Sequence, residues 1–315
     1  MFDIVMPLFN KEIYVGRTIE AVLAQTLPDW RLYVIDDGSK DDGAAVVERF
    51  ADPRITIIRQ SNCGPGAARN TGIVAGEAEW IAFLDADDVW LPNHLSVLDQ
   101  VRKHFQSAGL IGAAYRHWDG GDVPEVRNGP TDARLVRYFH EASRGRSPFF
   151  TSSAAVRREA IEKVGLLKPV TVGDETELWA RLALNGAVAA SSSQTVLYRV
   201  GTGGITDSSA LPEAKGIEQV SLPVATLLER LGAISDEKLK KDVRDYIDYE
   251  VGIVLLRAVR TGQIHYARRL LDLFVGRPHG KAAIAALLAR LPAPLGQRLL
   301  LSIFAIKRAS RSVAA

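Results

Sequence analysis

Between Phe2 and Phe105 the apolar positions alternate between two rhythms. Short runs rich in Val, Ile, Leu and Phe occur at Ile4–Met6, Arg31–Ile35, Ile55–Ile58 and Trp80–Leu84 and read as strands. Between them, Ile13–Ala24 carries a helical spacing through Ile13, Ile19, Val22 and Leu23, and Ala44–Phe50 and Ala67–Ala75 are helical. Leu95–Phe105 closes the series as a helix, with Pro92 near its start, where proline is tolerated. This strand–helix alternation predicts a mostly parallel, Rossmann-like α/β sheet flanked by helices.

The rhythm weakens from Gly109 to Pro148, where Asp119-Gly120-Gly121-Asp122 marks a turn. Ser152–Val156 reads as a strand, Arg157–Val164 as a short helix and Asp174–Asn185 as a helix stopped by Gly186. Thr195–Val200 is a strand, followed by a loop over Thr202–Ser209. Beyond about Leu211 the pattern becomes all-helical: Ile217–Leu231, Ser235–Val259, Ile264–Val275, Ala282–Leu291 and Leu295–Arg308. The expected organisation is a domain over 1–211 and a helical C-terminal region over 212–315.

Composition agrees with a globular chain, at 47% hydrophobic and 24% charged residues among 315. The single cysteine, Cys63, excludes an internal disulfide and a thiolate cluster, and suits a reducing compartment. No secretory signal stands at the start and no apolar stretch of spanning length occurs, so a cytoplasmic location is expected. The net charge of +2 is uninformative, but Leu273 to Ala315 holds seven Lys or Arg and no acid. Within it, Leu299–Ile306 is apolar and flanked by Arg298, Lys307, Arg308 and Arg311. Such a segment suits peripheral contact with the inner face of a membrane; a helical cap or a homo-oligomer contact is the alternative. No basic stripe with interleaved aromatics marks the core, so no nucleic-acid partner is expected.

Ligands of open parallel sheets bind beyond the C-terminal ends of the strands. Pro7-Leu8-Phe9-Asn10, Asp36-Asp37-Gly38-Ser39 and Asp85-Ala86-Asp87-Asp88 all follow apolar runs. Three carboxylates at one strand end repel one another unless a cation sits there, and a hard divalent ion such as Mg²⁺ or Mn²⁺ suits oxygen ligands. A solvated turn or helix cap is the plainer reading, as it is for Asp36-Asp37-Gly38-Ser39. Gly64-Pro65-Gly66 opens a helix that carries Arg69, placed to touch a phosphate or to brace the acidic loops. Asp174-Glu175-Thr176-Glu177 suits a helix first turn through the dipole, or supplies a general base.

Taken in order, these patches resemble the family 2 inverting glycosyltransferases of the GT-A fold. Val5-Met6-Pro7-Leu8-Phe9-Asn10-Lys11, Ala24-Gln25-Thr26-Leu27, Val34-Ile35-Asp36-Asp37-Gly38-Ser39, Asn62–Gly72 and Phe83-Leu84-Asp85-Ala86-Asp87-Asp88 carry the likeness, which extends over about Phe2 to Val200. The resemblance implies a nucleotide-diphospho-sugar donor, UDP-linked, and a saccharide or lipid-linked saccharide acceptor in envelope polysaccharide or glycolipid assembly. It implies that Pro7, Asn10, Asp36, Asp37, Arg69 and Asp85 bind the donor, and that Asp87, with Asp85, holds Mn²⁺ or Mg²⁺. An acid before Trp179 would be the base.

Two departures stand out. The family commonly has Glu-Asp before the tryptophan, whereas this chain has Asp174-Glu175; counting from Trp179 places Glu175 in the base position and leaves Asp174 as the other candidate. Many members also have a histidine where Gly201 stands. These motivate a rival reading as a non-catalytic nucleotide-sugar-binding scaffold. A nucleotidyltransferase would need a glycine-rich phosphate loop after the first strand, which Pro7-Leu8-Phe9-Asn10 lacks.

Overall fold

A computed structural model describes residues 1–124, 132–168, 174–202, 222–260, 263–273, 275–276 and 280–291. Its elements begin β1 (Phe2–Leu8), α1 (Glu12–Leu23), β2 (Trp30–Asp36), α2 (Gly43–Glu48), β3 (Ile55–Arg59), α3 (Pro65–Ala75), β4 (Trp80–Phe83), β5 (Val89–Trp90) and α4 (His94–His104). They continue with β6 (Ala108–Trp118), β7 (Ala133–Leu135), α5 (Tyr138–Ala142), a 3₁₀ turn (Thr151–Ser153), β8 (Ala154–Arg157), α6 (Arg158–Val164), α7 (Asp174–Asn185) and β9 (Ala187–Arg199). The helices α8 (Leu222–Leu231), α9 (Glu237–Arg260), α10 (Ile264–Leu270) and α11 (Gly280–Ala289) follow.

The strands form one sheet in the order β3-β2-β1-β4-β8-β6-β9-β5, with β7 on β9. The four strands read from the first half are parallel: β1 pairs with β2 and β4, and β2 with β3. Antiparallel pairing enters at β8, between β4 and β6, while β6 and β9 are again parallel. The sheet is therefore parallel where the βα units dictate it, and helices cover it as expected for the α/β class.

Burial explains what periodicity did and did not reveal. Phe2, Ile4, Val5, Met6 and Leu8 of β1 are all fully buried, the signature of a strand covered on both faces. In α1 the buried stripe is Val15, Thr18, Ile19 and Val22, whereas Ile13, expected on that stripe, is 81% exposed. Thr18 replaces it because its hydroxyl is needed inside, within 2.9 Å of the carbonyls of both Ala86 and Asp88. The weak stretch after Gly109 contains a long central strand, β6, and β9 begins at Ala187, well before the expected Thr195.

Buried His94 fastens α4 to β9. Its Nδ1 lies 2.8 Å from Thr195 Oγ1, its Nε2 has no partner, and its ring lies 4.4 Å from Trp90. Burial pushes its pKa down to about 3. The unfolded chain therefore takes up a proton near pH 6.5 that the folded chain refuses. Stability is expected to be full above pH 6.5 and to fall by a few kcal/mol toward pH 3. Thermal melts across that range should show the loss, with a shallower slope in His94→Gln.

By its contacts the chain divides into Met1–Glu141 with Ser147–Ser208, and Ala142–Arg146 with Ser209–Ala315. Within the second unit α9 is the central helix: Val243, Tyr246, Ile247, Val251, Val254, Leu255, Ala258 and Val259 are buried at helical spacing. No helix among the described residues is long and apolar enough to cross a membrane. Leu295–Arg308, including the basic-flanked Leu299–Ile306, lies outside the described residues, as do Ile217–Ser221 and most of Thr202–Ser209.

Candidate active site

The parallel strands end almost level. Leu8 pairs in register with Asp36, and Asp36 with Arg59. One residue further on, Asp37 N donates to Leu8 O, Gln60 N to Asp36 O and Leu84 N to Val5 O. Asp36-Asp37, Gln60–Gly64 and Asp85–Asp88 are thus delivered to one edge by neighbouring strands.

On the β2 side, Asp37 is 3% exposed and its carboxylate accepts three hydrogen bonds: from Gln60 Nε2 (2.8 Å), Cys63 N (2.9 Å) and Gly64 N (2.8 Å). Asp36 closes its own turn by accepting from Ser39 N at 2.9 Å. Asn10, in the left-handed region at φ 51°, bridges the loops after β1 and β2: its N donates to Ser39 Oγ and its Oδ1 accepts from Lys40 N. Asparagine tolerates that backbone better than most residues. Pro7 is half-buried in β1 opposite Ile35. Cys63 contributes through its backbone, with an exposed thiol.

The centre of the site is Arg69, 3% exposed on α3. Its Nη2 lies 2.7 Å from Asp85 Oδ1, and its Nη1 lies 2.8 Å from Glu175 Oε1 and 3.3 Å from Asp174 Oδ2. Burial opposes a charge on Arg69, but Glu175, Asp85 and Asp174 outweigh it and hold the guanidinium above its ordinary pKa. Of the two roles open to Arg69, bracing the acidic loops is the one seen. Its close approach needs a small residue at the start of α3: a Cβ on Gly66 would lie 2.6 Å from Asp174 Oδ2.

Asp174 and Glu175 differ sharply. Asp174 has a 2% exposed side chain, and burial with the adjoining Glu175 raises its pKa to about 8. Glu175 is 21% exposed; burial works to raise it, but Arg69, a hydrogen bond from Asp174 and Thr151 Oγ1 at 3.2 Å bring it down to about 2. Burial thus favours the protonated form of Asp174, and Arg69 favours the ionised form of Glu175, the more exposed of the two.

The Asp85–Asp88 turn separates its carboxylates. Asp85 is half-buried, and its pKa rises through burial and the nearby Glu175 and Asp87, against the pull of Arg69. Asp87 is paired with Lys11 Nζ at 2.6 Å. Asp88 is fully buried and serves the framework: it accepts from Ser152 Oγ at 2.5 Å and Arg199 N at 2.9 Å. Burial and Asp85 push its pKa well up. Ser152 also receives Asp85 N at 3.0 Å and, at its carbonyl, Trp90 Nε1 at 2.6 Å.

Among the described residues no group of three or more His, Cys, Asp or Glu converges as a ready-made metal cage. An ion of the Mg²⁺ class needs only one or two protein carboxylates and completes its shell with substrate phosphate and water, so the fit turns on Asp85 and Asp87 alone. Each of these carboxylates already meets a cation of the protein, Asp87 the Lys11 ammonium and Asp85 the Arg69 guanidinium.

The structure brings Arg69, Asp85, Asp174 and Glu175 into one network and sets Asp36, Asp37 and Asn10 beside it, with Asp87 held separately by Lys11. Sequence reasoning missed the supports Thr151, Ser152 and Lys11. Glu177, read from the sequence as part of the acidic first turn, is instead fully buried and paired with Arg181 at 2.8 Å and Lys168 at 3.0 Å. Arg181 in turn donates to the carbonyls of Val164, Gly165 and Leu166, which fixes the segment leading toward α7.

The model of glycosyl transferase family 2 matches residues 3–165. An uncharacterised glycosyltransferase of Nostoc sp. is 30% identical over 73% of this chain and 76% of its own length. A UDP-Glc:α-D-GlcNAc-diphosphoundecaprenol β-1,3-glucosyltransferase of Escherichia coli is 38% identical over 31% of this chain and 39% of its own. The succinoglycan biosynthesis protein ExoW of Rhizobium meliloti is 40% identical over 38% and 41%. Among solved structures, Staphylococcus aureus TarS with UDP-GlcNAc covers 92% of this chain and 91% of that one, at 16% identity and TM-score 0.62. A mannosyltransferase of Pyrobaculum calidifontis with GDP-Man and Mn²⁺ covers 97% and 79%, at 16% identity and TM-score 0.54. These likenesses share the GT-A architecture, and with the strand-end carboxylates in the family's order the chain belongs to the family 2 glycosyltransferases.

Proposed function

We propose that this glycosyltransferase inverts the anomeric centre of a UDP-linked sugar as it passes the sugar to a hydroxyl of a saccharide or lipid-linked saccharide. The observation that carries the reading is the partly exposed Glu175, joined through Arg69 to Asp85 of the strand-end turn. The base then stands across from the carboxylates that face the leaving group.

In the proposed reaction the acceptor hydroxyl attacks the anomeric carbon from the side opposite UDP. Glu175 takes the hydroxyl proton, the new C–O bond forms, and the bond to the diphosphate breaks with its electron pair leaving on UDP. Asp174, protonated, orients Glu175 and does not itself accept the proton. Asp87, with Asp85, would hold a divalent cation, which when bound neutralises diphosphate charge. Lys11 lies on Asp87 and is placed to follow the diphosphate when that pairing loosens. Asp36, Asp37, Pro7 and Asn10 form the nucleotide side, where a base N–H reaches Asp37 by taking the place of the Gln60 amide.

The choice of UDP rests on the relative named for UDP-Glc and the neighbour solved with UDP-GlcNAc. Calorimetry with UDP, GDP, CDP and TDP, with and without Mn²⁺, tests it. Tightest binding for UDP, at least tenfold weaker without metal, is the expected outcome. Equal binding of all four, or affinity indifferent to Mn²⁺, counts against it.

A further inference from the structure

A cluster of aromatic rings lies beside the base and takes no part in the chemistry described above. Tyr115 and His117 stand two apart on β6 and so share one face. Tyr198 of β9 is in register with His117. Phe150 precedes the 3₁₀ turn whose Thr151 donates to Glu175 at 3.2 Å. The rings contact one another: Tyr115–Phe150 at 4.4 Å, Phe150–Tyr198 at 5.0 Å, His117–Tyr198 at 5.3 Å and Tyr115–Tyr198 at 6.4 Å. Tyr115 and Phe150 also pack against the main core, so the cluster has a fixed floor.

The rings are not buried. Tyr115, Phe150 and Tyr198 are half-buried and His117 is exposed. The next residues in register, Trp118 and Arg199, point to the other face of the ribbon, where Arg199 lies 4.2 Å over the Trp118 ring. The two faces therefore differ in chemistry: a guanidinium over the indole on one, a cluster of aromatic rings on the other.

A pyranose has a face of axial C–H bonds that is apolar and slightly positive, and it stacks on the negative face of an aromatic ring. Its equatorial hydroxyls stay at the rim of the stacked pair, turned toward polar groups and water. We infer that Tyr115, Phe150, Tyr198 and His117 form a stacking platform for a pyranose ring of the acceptor saccharide, one residue along the chain from Thr151 and the base it holds. The inference rests on the proposed transfer at Glu175 and adds the acceptor side of that site. A sugar laid on this platform has its hydroxyls beside Glu175, whereas the nucleotide side lies across Arg69 at Asp36-Asp37. Stacking contributes orientation rather than hydrogen-bond selectivity, so it suits more than one hexose.

The test uses the full chain and saturation-transfer NMR with methyl glycosides of glucose, galactose, mannose and N-acetylglucosamine as probes. Irradiation of aromatic protein protons should saturate the C–H protons of one sugar face in at least one probe. The transfer should fall about fivefold in Tyr115→Ala and in Tyr198→Ala, the scale of one lost ring contact, and persist in Tyr115→Phe, which keeps the ring. UDP calorimetry on the same samples reports folding and the donor site. Unchanged UDP affinity with lost saturation supports the platform. No saturation in the wild-type chain, or equal saturation in the alanine variants, overturns it. Absence of UDP binding to the wild-type chain would instead remove the transfer reading itself.

Discussion

Glu175→Gln should lower turnover by about 10²–10⁴-fold, the range typical of a lost general base, with UDP affinity little changed. The amide keeps the size of the side chain and its contact with Thr151 but cannot accept the acceptor's proton. Asp174→Asn should cost less than about tenfold near neutral pH, because the wild-type residue already carries a proton there and an amide donates to Glu175 in the same way. The contrast has a pH signature. Glu175 is ionised at every pH above about 2, so it places no acid limb in the working range. Asp174 loses its proton as pH rises through about 8, which sets a second negative charge beside Glu175. Wild-type turnover should therefore bend near pH 8, and Asp174→Asn should lack that bend. Full pH–rate profiles of the three proteins decide it; a severe loss in Asp174→Asn with a mild one in Glu175→Gln would reverse the assignment.

Asp87→Ala should lower turnover by about 10²–10³-fold, on the scale of removing one electrostatic contact to developing charge. Two effects combine: a carboxylate placed for the cation is lost, and Lys11 loses its partner at 2.6 Å. Lys11, freed, would still meet the diphosphate, so UDP binding in the absence of metal should be retained while the gain on adding Mn²⁺ disappears. Asp88→Ala should behave differently, because Asp88 ties the turn to Ser152 and Arg199. Its loss should appear as a lowered melting temperature, the mark of a broken buried network. Calorimetry of the two variants with UDP and Mn²⁺, together with melts, separates the roles.

The parts legible in the sequence were those whose physics is local. The four parallel strands showed as apolar runs, and α7 was bounded correctly at Asp174 and Asn185 by its acidic first turn and Gly186. The strand-end acids followed from topology alone. β6 escaped because Gly109, Gly112, Ala113 and Ala114 break the alternation and leave Ile111 as its one β-branched residue, although Leu110, Ile111 and Ala113 are fully buried. The first half of β9 escaped likewise, as Ala187–Ser193 consists of small alanines and serines with Val188 as its one β-branched residue.

The supports of the site were illegible for a different reason. Ser152 meets Asp88 from 64 residues away, and Arg69 meets Asp174 across 105, distances at which no spacing rule operates. Ile13 was misplaced because its spacing fits a stripe that Thr18 occupies for the sake of its hydroxyl. The order Asp174-Glu175, a reason to doubt catalysis from sequence alone, becomes intelligible in three dimensions. Arg69 and Thr151 hold the glutamate, the aspartate is buried behind it, and the longer side chain is the one that reaches solvent.

Crystals grown with UDP and Mn²⁺, measured at the manganese absorption edge, test the central claim most directly. An anomalous peak about 2.1 Å from an Asp87 carboxylate oxygen and within reach of the diphosphate, with Glu175 outside its coordination shell, is the result predicted. UDP bound with no manganese at Asp87, and with Lys11 still paired to it, would contradict the assignment of these carboxylates to a metal-dependent donor site.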